Sequence, residues 1–117
     1  MNKKIRLVVD NETKRNEKEK FFFEKNELKI ILDLYAKMVS NGSWKDYSFT
    51  SGIKEVSFDV YQRASEKPVL RITKNFRPKY FNEKFFIKDR NGNILRKSEN
   101  LDNLISKTSW NKLRLIK

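Results

Sequence analysis

The sequence contains no cysteine and no histidine, and it has only three glycines and two prolines. The missing cysteines exclude a disulfide scaffold, and the absence of both residue types excludes thiol or imidazole nucleophiles and ordinary zinc ligation. The isolated glycines Gly42, Gly52 and Gly92 form no phosphate-cradling loop. No other side chains stand in a recognisable catalytic motif. The sequence therefore favours a binding protein, with no metal and no cofactor, over an enzyme.

Long apolar runs are also missing, since the longest are three residues, as at 21–23 and 30–32. A membrane-spanning helix needs about 20 such residues. The start of the chain has two lysines before apolar residues, but Arg6 interrupts the apolar stretch and residues 10–20 are polar. We expect neither an export signal nor a membrane partner. The lack of cysteine fits a cytoplasmic location.

Positive charge is abundant and uneven along the chain. The 117 residues include 27 Lys and Arg against 15 Asp and Glu, a net charge of +12. Residues 61–117 hold 15 basic and five acidic residues, and residues 68–80 hold four basic residues and no acid. Such a surface attracts polyanions. An alternative is AT-rich coding, because 19 of the basic residues are Lys and the chain also has 12 Asn.

The length corresponds to one domain, which we divide into a flexible polar arm (1–20) and a folded part (21–117). Apolar residues at helical spacing predict a helix that begins at the N-cap Asn26 and ends at Gly42. Its predicted buried positions are Leu28, Ile31, Leu32, Tyr35, Met38 and Val39. The three phenylalanines at 21–23 are a short strand or a hydrophobic staple before this helix.

Alternating residues then predict strands at Val56–Val60 and Val69–Thr73, with Leu70 and Ile72 inward. A third strand is predicted from Tyr80-Phe81 and residues 84–88, and Asn91-Gly92 predicts a hairpin to a fourth at Ile94-Leu95. A second helix is capped by Ser98 or Asn100 and buries Leu101, Leu104 and Ile105. The chain after Trp110 is a short helix or a closing strand. Together these elements predict a two-layer α+β domain: an antiparallel sheet of about four strands with both helices on one face.

Several pieces of the sequence resemble a known family. The most specific are Trp44-Lys45-Asp46-Tyr47 and Arg63-Ala64-Ser65-Glu66. Others lie at residues 6–11, 27–39, 68–72 and 92–96, so the likeness covers residues 6 to 105. The chain resembles short alphaproteobacterial proteins that share a domain of unknown function. The resemblance implies a cytoplasmic bacterial protein, and it implies no activity, substrate or cofactor.

Two groups of residues are candidates for function. The first would bind nucleic acid or another anion, and it comprises Arg63, Arg71, Lys74, Arg77, Lys79 and Arg96. The second is a recognition corner made of Trp44, Asp46, Tyr47, Tyr61 and Glu66. Structural alternatives stay open for both. Trp44 and Tyr47 would pack the joint between helix and sheet, with Asp46 capping a turn, and Glu66 would pair with a nearby arginine.

Two functions follow from these patterns. The first is binding of RNA or non-specific DNA, because aromatic residues alternate with basic ones in the second half, as on sheets that bind single strands. The second is docking of an acidic bacterial protein partner, because the two most specific family pieces have no nucleic-acid signature.

Overall fold

The computed structural model describes residues 21–63 and 67–110. Its first element is the helix α1 (Lys25–Ser40). The helix begins after Glu24 and not at the predicted N-cap Asn26. The Glu24 amide donates to Oε1 of Glu27 at 2.7 Å, so a side chain one turn into the helix binds the N-terminus. This acceptor explains the earlier start. The predicted arm (1–20), the chain after Trp110, and Glu66 lie outside the described residues.

The buried stripe of α1 is rotated from the predicted one. Ile31, Leu34 and Met38 are its buried apolar residues, whereas Leu32 and Val39 are 42% and 41% exposed. Residues three and four apart share a helix face, so Leu34 forms one stripe with Ile31 and Met38. Leu32 and Val39 lie outside that stripe. Leu28 and Tyr35 are half-buried at its margin.

The helix ends as the glycine predicts. Asn41 is the C-cap and Gly42 follows it with a φ of +82°. The Ser43 amide donates to the carbonyl of Met38 at 2.9 Å, which satisfies a carbonyl at the end of the helix. The left-handed conformation is open to glycine without steric cost, so this residue turns the chain toward the sheet.

Five antiparallel strands follow, each hydrogen-bonded to its neighbours in sequence. They are β1 (Asp46–Ser51), β2 (Glu55–Tyr61), β3 (Leu70–Asn75), β4 (Phe85–Asp89) and β5 (Ile94–Ser98), and α2 (Leu101–Ser106) comes after them. The α+β class and antiparallel order agree with the prediction, and the sheet has five strands within the described residues where about four were predicted. The additional strand is β1, an edge strand of mostly exposed residues.

The Asn91-Gly92 hairpin is confirmed between β4 and β5, with Gly92 at a φ of +87°. The strand predicted to include Tyr80 and Phe81 is wrong in that part. Phe81 begins a short 3-10 helix (Phe81–Glu83), and pairing with β3 starts only at Phe85. The chain leaves the sheet after Asn75, so Tyr80 and Phe81 are carried outward to 58% and 84% exposure.

One face of the sheet is covered by the two helices, and we call the opposite face the outer face. On the helix-covered face, Val56, Phe58, Val60, Leu70, Ile72 and Ile87 join the buried residues of both helices in one core. This confirms the buried face predicted for Val56–Val60 and the inward positions predicted for Leu70 and Ile72. The second helix is capped by Asn100, whose Oδ1 accepts from the Asn103 amide at 3.1 Å, and it buries Leu101 and Leu104. No helix in the described parts of the chain is long and apolar enough to cross a membrane.

Candidate functional site

Basic and aromatic side chains collect at one end of the sheet. Two connections meet there, the β1–β2 turn and the chain from β3 to β4. The Phe76 amide donates to the carbonyl of Lys54 at 2.9 Å and so ties them together. We define the basic-aromatic end as Ile53, Lys54, Arg77, Lys79, Tyr80 and Phe81.

The aromatic rings of the basic-aromatic end are exposed to solvent. Phe81 is 84% exposed and Tyr80 is 58% exposed, and Lys79 Nζ lies 5.7 Å from the centre of the Tyr80 ring. Ile53, in the neighbouring turn, is 90% exposed. Apolar side chains held in the open beside cations are typical of a surface that binds a partner.

The local charge at this end is positive. Residues 52–54 and 76–84 hold Lys54, Arg77, Lys79 and Lys84, and their single acid is Glu83. The Glu83 carboxylate lies 3.6 Å from Lys97 Nζ on β5. Neither Arg77 nor Lys79 makes an ion pair within the described part of the chain, so both cations are open to an anionic ligand.

The outer face of the sheet carries a buried carboxylate. Asp59 on β2 is 1% exposed and accepts hydrogen bonds of 2.6 Å from Thr50 Oγ1 and from Ser57 Oγ. The third partner is Arg71 on β3, whose Nε lies 3.6 Å from Asp59 Oδ1. The Arg71 side chain is still 45% exposed. The carboxylate therefore forms an ion pair with one nitrogen of Arg71, and much of the guanidinium stays accessible.

The residues of the predicted corner divide between packing and exposure. Trp44 is buried at 3% exposure and meets Trp110 edge-on, with ring centres 5.8 Å apart. Tyr47 stacks on Phe58 at 5.1 Å, and Asp46 Oδ1 accepts from the Tyr47 amide at 2.8 Å. The contacts of Trp44 and Tyr47 correspond to the structural alternative, whereas Asp46 binds the amide of the next residue at the start of β1.

The rest of the corner is dispersed. The Tyr61 hydroxyl lies 3.1 Å from Ser48 Oγ on the outer face, away from the buried Trp44.

Burial raises the pKa of Tyr35 above its ordinary value of 10.0, and the nearby Asp46 and Tyr47 raise it further. Tyr35 therefore stays a neutral phenol that packs beside Trp44 and Tyr47.

The predicted anion-binding residues do not form one surface. Arg77 and Lys79 lie in the basic-aromatic end, and Arg71 lies on the outer face. Arg63 is exposed in the bend after β2, and Arg96 is exposed on the edge strand β5. Only the pair Arg77 and Lys79 is brought together with exposed aromatic rings.

Lys74 lies in the core and not on a surface. It is 5% exposed, and its Nζ is 2.9 Å from Glu27 Oε1 and 2.9 Å from the carbonyl of Phe22. The strand register places it on the helix-covered face, opposite Val56 and Phe85. A charge count along the chain cannot show this, because the alternation of β3 turns every second side chain inward.

Sequence reasoning did not select Lys54, Phe81, Asp59 or Lys88. Phe81 was assigned to a strand, and nothing in its local pattern indicates exposure. Asp59 alternates with Phe58 and Val60, a pattern that predicts a solvated side chain, but two hydroxyl donors and Arg71 bury it. The signal that could have found Lys54 is its place in the turn before a buried strand.

The comparisons with known proteins give a family and no activity. No curated protein and no solved structure matches the chain significantly. The sequence profile of one family, described as "Protein of unknown function (DUF2794)", matches residues 21–105. That range contains every strand, both helices except the last residue of α2, and the whole basic-aromatic end. The chain therefore belongs to the DUF2794 family of proteins of unknown function.

Proposed function

We propose that the protein binds single-stranded nucleic acid, RNA or DNA, through the basic-aromatic end. The observation that carries the proposal is the exposure of Tyr80 and Phe81 in the same connection as Arg77 and Lys79. An exposed ring offers a face to any unpaired base, and a neighbouring cation neutralises the phosphates that flank it. The proposal includes a cytoplasmic location in a bacterium, in line with the family resemblance.

A single strand suits this surface better than a duplex. Base stacking on an aromatic ring is worth about 1–3 kcal/mol per base, and a paired base cannot make it without leaving its stack. Neither ring lies on an α-helix that could enter a major groove, because Tyr80 precedes and Phe81 begins a 3-10 helix of only three residues. Recognition would then depend on stacking and charge, with little reading of sequence.

The test is fluorescence polarisation with labelled oligonucleotides of about twelve nucleotides, as single-stranded RNA, single-stranded DNA and duplex DNA. We expect the double variant R77Q/K79Q to weaken single-strand binding by about ten-fold or more. The slope of log K against log salt should fall by about 1.4, because two phosphate contacts are lost. F81A should weaken binding by about five-fold or more without changing that slope.

The matched control is K29Q/K37Q on the exposed side of α1, which removes the same charge. Binding that is insensitive to salt, or equal losses in R77Q/K79Q and K29Q/K37Q, would contradict the proposal. Equal affinity for single strands and duplex would contradict the stacking part of it.

A second candidate function is docking of an acidic protein partner at the edge strand β5. Ile94 and Leu95 are 53% and 42% exposed there, next to Arg96 and Lys97. An extended acidic segment could pair with the edge of β5 that no described strand covers, and it could place carboxylates on these cations. Capture from nuclease-treated lysate tests it. A protein retained by the wild type and by R77Q/K79Q, and lost with L95D, would favour this function.

A further inference from the structure

Two cations stand directly opposite each other on the outer face. Arg71 on β3 and Lys88 on β4 are register partners in an antiparallel pair, so their side chains leave the same face with Cβ atoms about 5 Å apart. Like charges in this arrangement repel each other and destabilise a sheet. An anion bound between the two side chains would offset this repulsion.

The nearest carboxylate balances only one of them. Asp59 lies on the far side of Arg71, and its oxygens already accept from Thr50 and Ser57. Lys88 makes no ion pair with any residue in the described ranges. Its Nζ lies 5.3 Å from the centre of the Phe86 ring, which holds the ammonium on this face without neutralising it.

A buried hydroxyl beside the two cations also has no partner. Thr73 lies two residues after Arg71 on β3 and is therefore on the same face, and its Oγ1 is buried without a hydrogen bond. Its register partner on β4 is Phe86, the residue under Lys88. A buried hydroxyl without a partner costs about 1–3 kcal/mol, and a ligand oxygen that displaces the atoms covering Thr73 and accepts from its hydroxyl would remove that cost.

We propose that Arg71, Lys88 and Thr73 form a binding site for the phosphoryl group of a small phosphorylated ligand. Arg71, Lys88 and Asp59 together carry a net charge of +1, so the site attracts an anion. The phosphate oxygens accept from the guanidinium, the ammonium and the hydroxyl. Asp59 is a positioning residue, because its carboxylate attracts Arg71 at Nε. The site shares no residue with the basic-aromatic end and does not depend on the proposed function.

The experiment is an NMR and calorimetric titration of the full chain at constant ionic strength. The probes are inorganic phosphate, adenosine monophosphate and sodium chloride. We expect saturable binding of both phosphates and none of chloride. K88Q should raise the dissociation constant about ten-fold or more, since one charge-assisted hydrogen bond is lost. R90Q in the β4–β5 turn removes the same charge and should change it less than about two-fold.

T73V separates ligand binding from a structural role of the hydroxyl. Valine has the shape of threonine, so the variant without ligand should be as stable as the wild type or more stable, while phosphate binding weakens. Phosphate shifts no larger than those of chloride, or equal losses in K88Q and R90Q, would overturn the proposal. Binding of an oligonucleotide that K88Q removes, with no binding of either small phosphate, would also overturn it.

Discussion

At the scale of single residues, the buried ion pair of Glu27 and Lys74 links α1 to β3. Glu27 Oε1 accepts from the Glu24 amide at the start of α1 and from Lys74 Nζ on β3. Lys74 also donates to the carbonyl of Phe22, just before the helix. The pair therefore joins the N-terminus of α1 to the centre of the sheet, inside the core.

Breaking this pair from one side should be costly. K74M leaves the Glu27 carboxylate buried without its cation, and we expect a loss of about 3 kcal/mol in the free energy of unfolding. E27Q/K74M removes both charges and keeps an acceptor for the Glu24 amide, so it should lose less than K74M alone. Urea unfolding of the two variants measures the difference. A double variant less stable than K74M would contradict this account of the pair.

The pH dependence of Tyr35 is a second test at this scale. Its pKa is raised by burial first and by Asp46 and Tyr47 next, so the folded protein holds the phenol proton more tightly than the unfolded chain. Stability is unaffected by this group below pH 10.0, its ordinary pKa, and falls as the pH rises through the folded pKa. The phenolate absorbance of the wild type minus that of Y35F should have a midpoint above 10.0. A midpoint below that value would contradict the assignment.

At the scale of elements, the sequence correctly predicted those features that depend only on neighbouring residues. The Asn91-Gly92 turn, the end of α1 at Gly42 and the alternation of β2 each depend on a few neighbouring residues, and each was correct. β1 was missed because only Tyr47 and Phe49 on one side of it are large and apolar, and it gains its order by pairing with β2. The exposure of Phe81 and the burial of Lys74 depend on where distant segments lie, and no local pattern contains that information.

The β4–β5 turn gives a test with a built-in control. Gly92 has a φ of +87°, and adding a Cβ there costs about 1–2 kcal/mol from backbone strain although the space around it is open. Gly52 lacks a positive φ, and a Cβ there would make only an ordinary contact of 3.5 Å with the Glu55 carbonyl oxygen. G92A should lower the free energy of unfolding by that amount in urea, and G52A should change it less. The reverse order would contradict the role of the turn.

At the scale of the whole molecule, one core receives side chains from every layer. Trp44 comes from the joint between α1 and β1, and Trp110 follows α2, yet their rings touch and Trp110 Nε1 donates to the carbonyl of Ile105 at 2.9 Å. The chain that follows α2 is therefore held against the joint between α1 and β1 by this contact.

Unfolding should accordingly occur in one step. Tryptophan fluorescence reports this contact and far-ultraviolet circular dichroism reports the helices and sheet, so the two urea midpoints should coincide. W110F leaves Trp44 as the only tryptophan and should move both midpoints together. Separate midpoints in the wild type would show that α2 detaches from the sheet before the rest unfolds.

The strand order has a consequence for how the protein is made. Because each of the five described strands pairs only with the strands before and after it in the chain, none of these pairings must wait for a distant segment. Short loop closures of this kind favour fast folding. On the ribosome, each strand can join the edge left by the one synthesised just before it, and the growing edge moves from β1 to β5. The last helix among the described residues, α2, then adds its buried side chains to the core that α1 already contacts.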